Sequence, residues 1–479
     1  MGLEFDMTFR GICVRYAVWS IALLSLSATS YAAADPSRAA NHPLADSQAL
    51  DLAKKAIALR SVRGPGNQTP EVAALFKAAL LAGGFNERDI TITPVDDTAF
   101  LVARWPGSNP KLKPLVLSGH MDVVEANPAD WQRDPFTPVV ENGFLFGRGA
   151  SDMKLDDTLV IAALLELKRD GYKPKRTIIA EFSGDEETTM KTSEIIAKQL
   201  SDADLVLNVD GGGGLLDKDG KPVYLSWEGA EKMDVDYELT VTNPGGHSSA
   251  PREDNAITRL SAALVKIGAY KFMPELNDIS RSYFTQAAPL EQPAIATAMR
   301  EFVADPGNPH AVAVLRADPS FVGRIGTTCV ATMLSGGHAM NALPQRATAN
   351  IDCRIFPGHA PADIMAELEG VVADPAVQFT DVTVGSVASG ASPLRADLVA
   401  AVTKAIHLSY PDVPVFPSMA SGASDSMWFR HEGVASYGVS PVFIKSSDHF
   451  AHGLNERVPV ANIPPSITYL VSLVSDLSH

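Results

Sequence analysis

Two hydrophobic periods alternate along the first half of the chain. Apolar residues spaced three to four apart predict helices over 47–60 and 70–83, and shorter runs predict strands over 90–94 and 98–104. Another apolar run, Pro114 to Leu117, stops at Ser118-Gly119-His120. Helical spacing returns over 155–170 and 192–200, with strand-like runs at 176–182 and 204–209. Short apolar strands alternating with helices imply an α/β domain on a mainly parallel central sheet.

The pattern changes after Gly229. Residues 233–242 alternate between apolar and polar, as a strand with one wet face does. Two more strand candidates, 326–334 and 346–356, enclose a helix at 254–267 and a helical insertion over 270–315. The first pattern then resumes, with a helix at 396–408, strands at 413–416 and 434–444, and a C-terminal helix at 463–477. The economical division is a leader at 1–34 and a catalytic domain in two parts, 35–231 and 361–479, interrupted by an α+β domain at 232–360.

Arg10 and Arg15 precede an apolar run from Tyr16 to Leu26, and Ala32-Ala33-Ala34 leads out of it. A basic start, a short apolar stretch and a small-residue exit describe a secretory signal peptide. The expectation is an exported protein, periplasmic or secreted, with no stable membrane anchor. Only Cys329 and Cys353 follow the leader. A hairpin centred near Asn341 would set them nearly opposite, and both a disulfide and two free buried thiols stay open. The net charge of −16 repels phosphate backbones, so nucleic acid is not an expected partner.

Residues able to do chemistry gather where the predicted strands end. His120 closes one strand, and Asp122 stands two residues on, able in extended chain to accept a hydrogen bond from the ring. Asp152 precedes the helix at 155–170, where a lone aspartate would read as an N-cap. Asp185, Glu186 and Glu187 follow the strand at 176–182, and Asp210 ends the strand at 204–209. Adjacent carboxylates repel unless a cation takes the charge, and neighbouring glutamates can divide the work of ligand and base. His449 and His452 come late in the chain. Singly each reads as a surface loop; in series they point to a metal site. No Gly-x-Ser-x-Gly surrounds Ser424 or Ser440, and the Gly-rich run at 147–154 lacks phosphate-loop spacing.

With these residues in place the chain resembles the M20 metallopeptidases, which include carboxypeptidases, di- and tripeptidases and aminoacylases. Five motifs carry the resemblance in order: Ser-Gly-His-Met-Asp, Gly-Arg-Gly-Ala-Ser-Asp-Met-Lys, Gly-Asp-Glu-Glu, Asn-Val-Asp-Gly and Ala-His-Gly-Leu-Asn-Glu. Gly-Gly-His-Ser-Ser-Ala-Pro at 245–251 and Asn-Ala-Leu-Pro at 341–344 match as well. Carboxypeptidase S-like members, which share a longer insertion in the second domain, are the most similar subgroup.

The resemblance implies two Zn2+ per chain, with Asp152 bridging, His120 and Asp210 completing one ion, and Glu187 and His452 the other. It implies Glu186 as general base, taking a proton from the bridging water and passing it to the leaving amine, with Asp122 holding His120. His449 is the rival last ligand, and His452 is preferred because it stands just ahead of Asn455-Glu456. A cis peptide after Asp152 is also implied. So are a lid and homodimer role for the inserted domain, and His247 reaching the site, commonly from a partner subunit, as an oxyanion donor. Asn341 and Arg354 match positions that hold the substrate's terminal carboxylate, and Gly422 lies in a substrate loop. Thr188-Thr189-Met190 departs from the family, where many members carry a nearby glycine. The expected substrate is a peptide cut next to its free carboxylate. An N-acyl amino acid is the alternative, and a non-catalytic exported binding protein the more distant one, against which an intact Glu186 speaks.

Overall fold

The computed structural model describes residues 41–479, so the expected leader lies outside the described residues. The strands Leu115–His120, Ile178–Ser183 and Leu205–Asn208 are buried at every position. Continuous burial follows from helices on both faces of a parallel sheet. These strands lie side by side and parallel, and Ala435–Gly438 extends the parallel set. Ten strands make up the sheet, and at one margin Ile90–Val95 and Thr98–Trp105 run antiparallel.

The main core lies under one face, closed by the helices Pro43–Ile57, Thr69–Ala82, Lys154–Arg169, Ala396–His407 and Ile463–Leu477. Lys154–Arg169 is buried almost all round, so it runs through the middle of this layer. On the other face Lys191–Gln199 and Ser426–His431 close over Val116, Ile179 and Val206.

A second sheet of four antiparallel strands is built from Thr328–Gly336, Arg346–Ile355, Met233–Thr242 and Gln378–Asp381. Met233–Thr242 alternates in burial as its sequence predicts, with Val235, Tyr237, Leu239 and Val241 turned inward beneath Ala256–Ala269 and Pro361–Val372. Cys329 and Cys353 are direct cross-strand partners, their Cα atoms 4.1 Å apart, and they form a disulfide.

The chain passes from the large sheet to the smaller one at 232, but the packing does not follow the boundary at 360 or keep all of 232–360 together. Pro361–Val372 and Gln378–Asp381 join the core of the smaller sheet. The helices Asp278–Ala287, Pro293–Ala304, Pro309–Ala317 and Pro319–Val322 instead pack Phe284, Phe302 and Phe321 with Phe416, a residue of the large sheet's strand Val415–Ala420. Chain order does not say which sheet an amphipathic helix will cover. Two strands of the large sheet, Gly213–Leu216 and Pro222–Glu231, were likewise outside the predicted set. Glu231 lies in the second of these, buried against Arg430 at 2.7 Å, which breaks the apolar signature of a buried strand.

Candidate metal centre

The carboxyl ends of the three central strands converge. His120 is the last residue of its strand, and its ring is 1% exposed. Its Nε2 lies 3.2 Å from Asp152 Oδ1, 3.8 Å from Asp210 Oδ1 and 3.9 Å from Glu186 Oε2. The other oxygen of Asp152 faces a second imidazole: Oδ2 lies 3.3 Å from His452 Nε2, which is also 2.9 Å from Glu187 Oε2. Asp152 thus stands between two histidines with one oxygen toward each. Two sets of ligand atoms each lie within 4.8 Å of one another: His120, Glu186 and Asp210, and His120, Asp152 and Glu187.

Asp152 does not cap the helix it precedes. Met153 occupies that position without a side-chain cap, and the Asp152–Met153 peptide is cis, as the resemblance implies. The three consecutive acids split their work. Asp185 accepts from the backbone N–H groups of Lys191 and Thr192 and from the Thr189 hydroxyl, so it anchors the entry to Lys191–Gln199. Glu186 and Glu187 turn into the centre. Met190 makes the turn at φ 48°, in the left-handed region that favours glycine.

Asp122 acts differently from the expectation. Its carboxylate accepts from the backbone N–H groups of Glu186 and Glu187, at 3.1 and 3.0 Å. The nearer partner of His120 Nδ1 is the backbone carbonyl of Asp122 at 3.0 Å, with the carboxylate at 3.6 Å. Asp122 therefore places the two glutamates, while its main chain orients the ring.

Electrostatics fit a cation-binding centre. Burial pushes Glu186 and Asp210 well above the usual carboxylate range, with neighbouring acids adding to it. Burial opposes a charged His120 ring, but Asp152, Asp210, Glu186 and Asp122 outweigh it and hold the ring well above the ordinary imidazole value. Hydrogen bonds to Asp152 and Glu187 raise His452 to about 10. So dense a set of carboxylates must share protons or bind cations, and nitrogen and carboxylate donors suit a borderline divalent ion such as zinc.

His120, Asp122, Asp152, Glu186, Glu187, Asp210 and His452 are thus brought together, His452 through its contacts with Asp152 and Glu187 rather than through either ligand set, and His449 is exposed and outside both sets as well. The structure does not bring the other four expected residues into this cluster. His247 and Asn341 are exposed on the small ribbon where Gly246–His247 pairs with Ala342–Leu343, and His247 Nδ1 bonds the Ser249 hydroxyl. Arg354 is already paired with Asp234 at 3.0 Å and Asp352 at 3.4 Å. Gly422 sits exposed after Val415–Ala420, with nothing near its missing Cβ. Sequence reading assigned no role to Arg148, Glu456 or Asp425. Glu456 is fully buried, and Asp425 accepts from the Ser183 hydroxyl at 2.6 Å behind the centre. Arg148 and Glu456 had membership of the quoted motifs as their only signal, and Asp425 stands outside those motifs.

Known proteins resemble the chain over this whole arrangement. It is 25% identical over 392 residues to a probable carboxypeptidase S-like 2 of Dictyostelium discoideum, covering 78% of this chain and 74% of that one. It is 27% identical over 408 residues to an N-fatty-acyl-amino acid synthase/hydrolase of Mus musculus, covering 77% and 75%. Among solved structures, an M20 family metallo-carboxypeptidase from Sulfolobus solfataricus superposes with a TM-score of 0.70 at 19% identity, covering 89% of this chain and 98% of that one. Residues 116–476 match the family described as Peptidase family M20/M25/M40, and with that match the chain belongs to this family of metal-dependent hydrolases.

Proposed function

We propose that the protein is a di-zinc hydrolase that cuts an amide bond next to a free carboxylate, acting as a carboxypeptidase or dipeptidase. The observation that carries this reading is Asp152 set between His120 and His452, with Glu186 beside His120. His120 and Asp210 would hold one ion, Glu187 and His452 the other, with Asp152 shared. Bound divalent cations polarise a carbonyl and make water acidic enough to attack it near neutral pH. Glu186 would take a proton from the attacking water and deliver it to the departing nitrogen, and burial raises the basicity of its carboxyl for that role. Asp122 holds the glutamate loop still through its two amide contacts.

His247, Asn341 and Arg354 supply the oxyanion donor and the carboxylate clamp when the smaller sheet or a second copy closes on the cluster. For Arg354 the incoming carboxylate displaces Asp234. A homodimer would form along the exposed edge strand Thr328–Gly336, where Val330, Met333 and Leu334 are 58%, 71% and 66% exposed. The leader at 1–34 and the disulfide both support export.

A second reading, hydrolysis of N-acyl amino acids, has the support of similarity to the N-fatty-acyl-amino acid synthase/hydrolase. The same protein preparation tests both. Zinc content and turnover of dipeptides and long-chain acyl amino acids are measured before and after chelation. About two zincs per chain, with hydrolysis lost on chelation and restored by zinc, is expected. Activity indifferent to chelator rejects the metal mechanism, and turnover of acyl amino acids alone selects the second reading.

A further inference from the structure

His452 is the least supported of the proposed ligands. His120 ends a strand of the central sheet, and Asp210 follows another, its N–H held by Asn208. Glu187 is pinned through Asp122. His452, by contrast, lies on a loop, its side chain 56% exposed and its backbone at φ 59°. Asp152 is also carried by a loop, the Gly-rich segment ahead of Lys154–Arg169.

One buried ion pair ties these two loops together. Glu456, fully buried, has both carboxylate oxygens saturated. Oε1 accepts from the N–H groups of Ser151 and Asp152, at 2.7 and 3.0 Å. Oε2 accepts from Arg148 Nη1 at 2.6 Å and from Gly149 N–H at 3.0 Å. Arg148, 3% exposed, then reaches the opposite loop, where Nη2 donates to the carbonyls of His452 and Gly453 at 3.4 Å. The Arg148 guanidinium lies 5.2 Å from the Trp131 ring, and Asn455, at φ 55°, accepts from the Gln132 N–H at 2.9 Å. Arg148 and Glu456 thus bind each loop to the other from residues 308 apart in sequence.

We infer that Glu456 and Arg148 are positioning residues that set the spacing of Asp152 and His452, and thereby the affinity for the cation on the Glu187–His452 side. The inference rests on the two-metal reading above. The His120–Asp210 side depends on the sheet and is affected far less. A glutamine at 456 keeps shape, but its NH2 group must face one of two pairs of donors, so one half of the clasp opens. A lysine at 148 keeps charge but loses the planar fork that bonds Glu456 and two carbonyls at once.

Zinc is titrated into the metal-free full chain, and each class of site is read by competition with a chelating dye and by zinc content after gel filtration. Wild type is expected to hold two zincs. Glu456→Gln is expected to hold one as wild type does and the second about 10–100-fold more weakly, with excess zinc restoring turnover. Arg148→Lys moves the same way, and it decides the matter if Glu456→Gln does not fold. Two zincs at wild-type affinity in the folded variant, or equal weakening of both, overturns the inference. Fewer than two zincs in wild type overturns the two-metal reading beneath it, a result distinct from either.

Discussion

Glu186 and Glu187 are neighbours in the chain, fixed by one pair of contacts from Asp122, yet they face different partners. Of the two, Glu187 meets His452 at ion-pair distance and Glu186 faces His120, and the proposed mechanism gives Glu186 the proton transfer. Glu186→Gln is therefore expected to keep both cations and lower kcat by about 10²–10⁴-fold. Metal analysis alongside steady-state kinetics checks this, and unchanged kcat ends the base assignment. A second residue-scale prediction concerns Lys232, fully buried between Pro222–Glu231 and Met233–Thr242 with its ammonium on the Thr328 hydroxyl. Burial lowers its pKa to about 7 from 10.5. Below pH 7 the folded state carries a buried charge at full cost. As pH rises from 7 toward 10.5 the folded lysine is neutral while the unfolded one is still charged, and the cost fades. Lys232→Met should raise Tm by about 2 °C or more at pH 6.5 and by less at pH 10. A calorimetric difference independent of pH would rule out the buried ammonium as its source.

At the scale of elements, the disulfide joins the edge strand Thr328–Gly336 to Arg346–Ile355 across 24 residues of sequence. Closing a loop of that length removes chain entropy worth about 3 kcal/mol from the unfolded state. Replacing both cysteines by serine should lower stability by about that amount, and reductant should lower the wild-type transition toward the same value. A wild-type transition indifferent to reductant and matched by the variant would refute a stabilising bridge. The turn after Ile178–Ser183 shows why single residues do not reveal their element's job. Asp185 is as acidic as its two neighbours, but it faces backbone N–H groups and they face the metal centre.

For the whole molecule, the exposed edge of the smaller sheet is the surface that bears on assembly. Val330, Met333 and Leu334 offer apolar side chains beside unpaired strand groups, a combination that monomers blunt with charge. The protein is expected to elute as a dimer by light scattering, and Val330→Lys with Met333→Lys to elute as a monomer. A monomeric wild type at micromolar concentration would dismiss that edge as an interface.

Elements with a strong side-chain period were legible from the residues alone, and so determined by the chain. Met233–Thr242 and Ile463–Leu477 have the limits that the pattern predicts, because alternation and helical spacing are local properties. The chain also determined which residues could ligate a metal, since strand-end histidines and carboxylates are legible as types, and the motifs of the family order them. Tertiary structure alone decided where those residues point and what braces them. It sent the helices of 278–322 to the large sheet through Phe416, and it buried Glu231 on Arg430 inside a strand no apolar run marked. It also turned the Asp122 carboxylate to backbone amides and paired Glu456 with Arg148 across the two loops. Each of these depends on partners distant in sequence, and a hydrogen bond or a packed ring is satisfied by position in space, which no local period encodes.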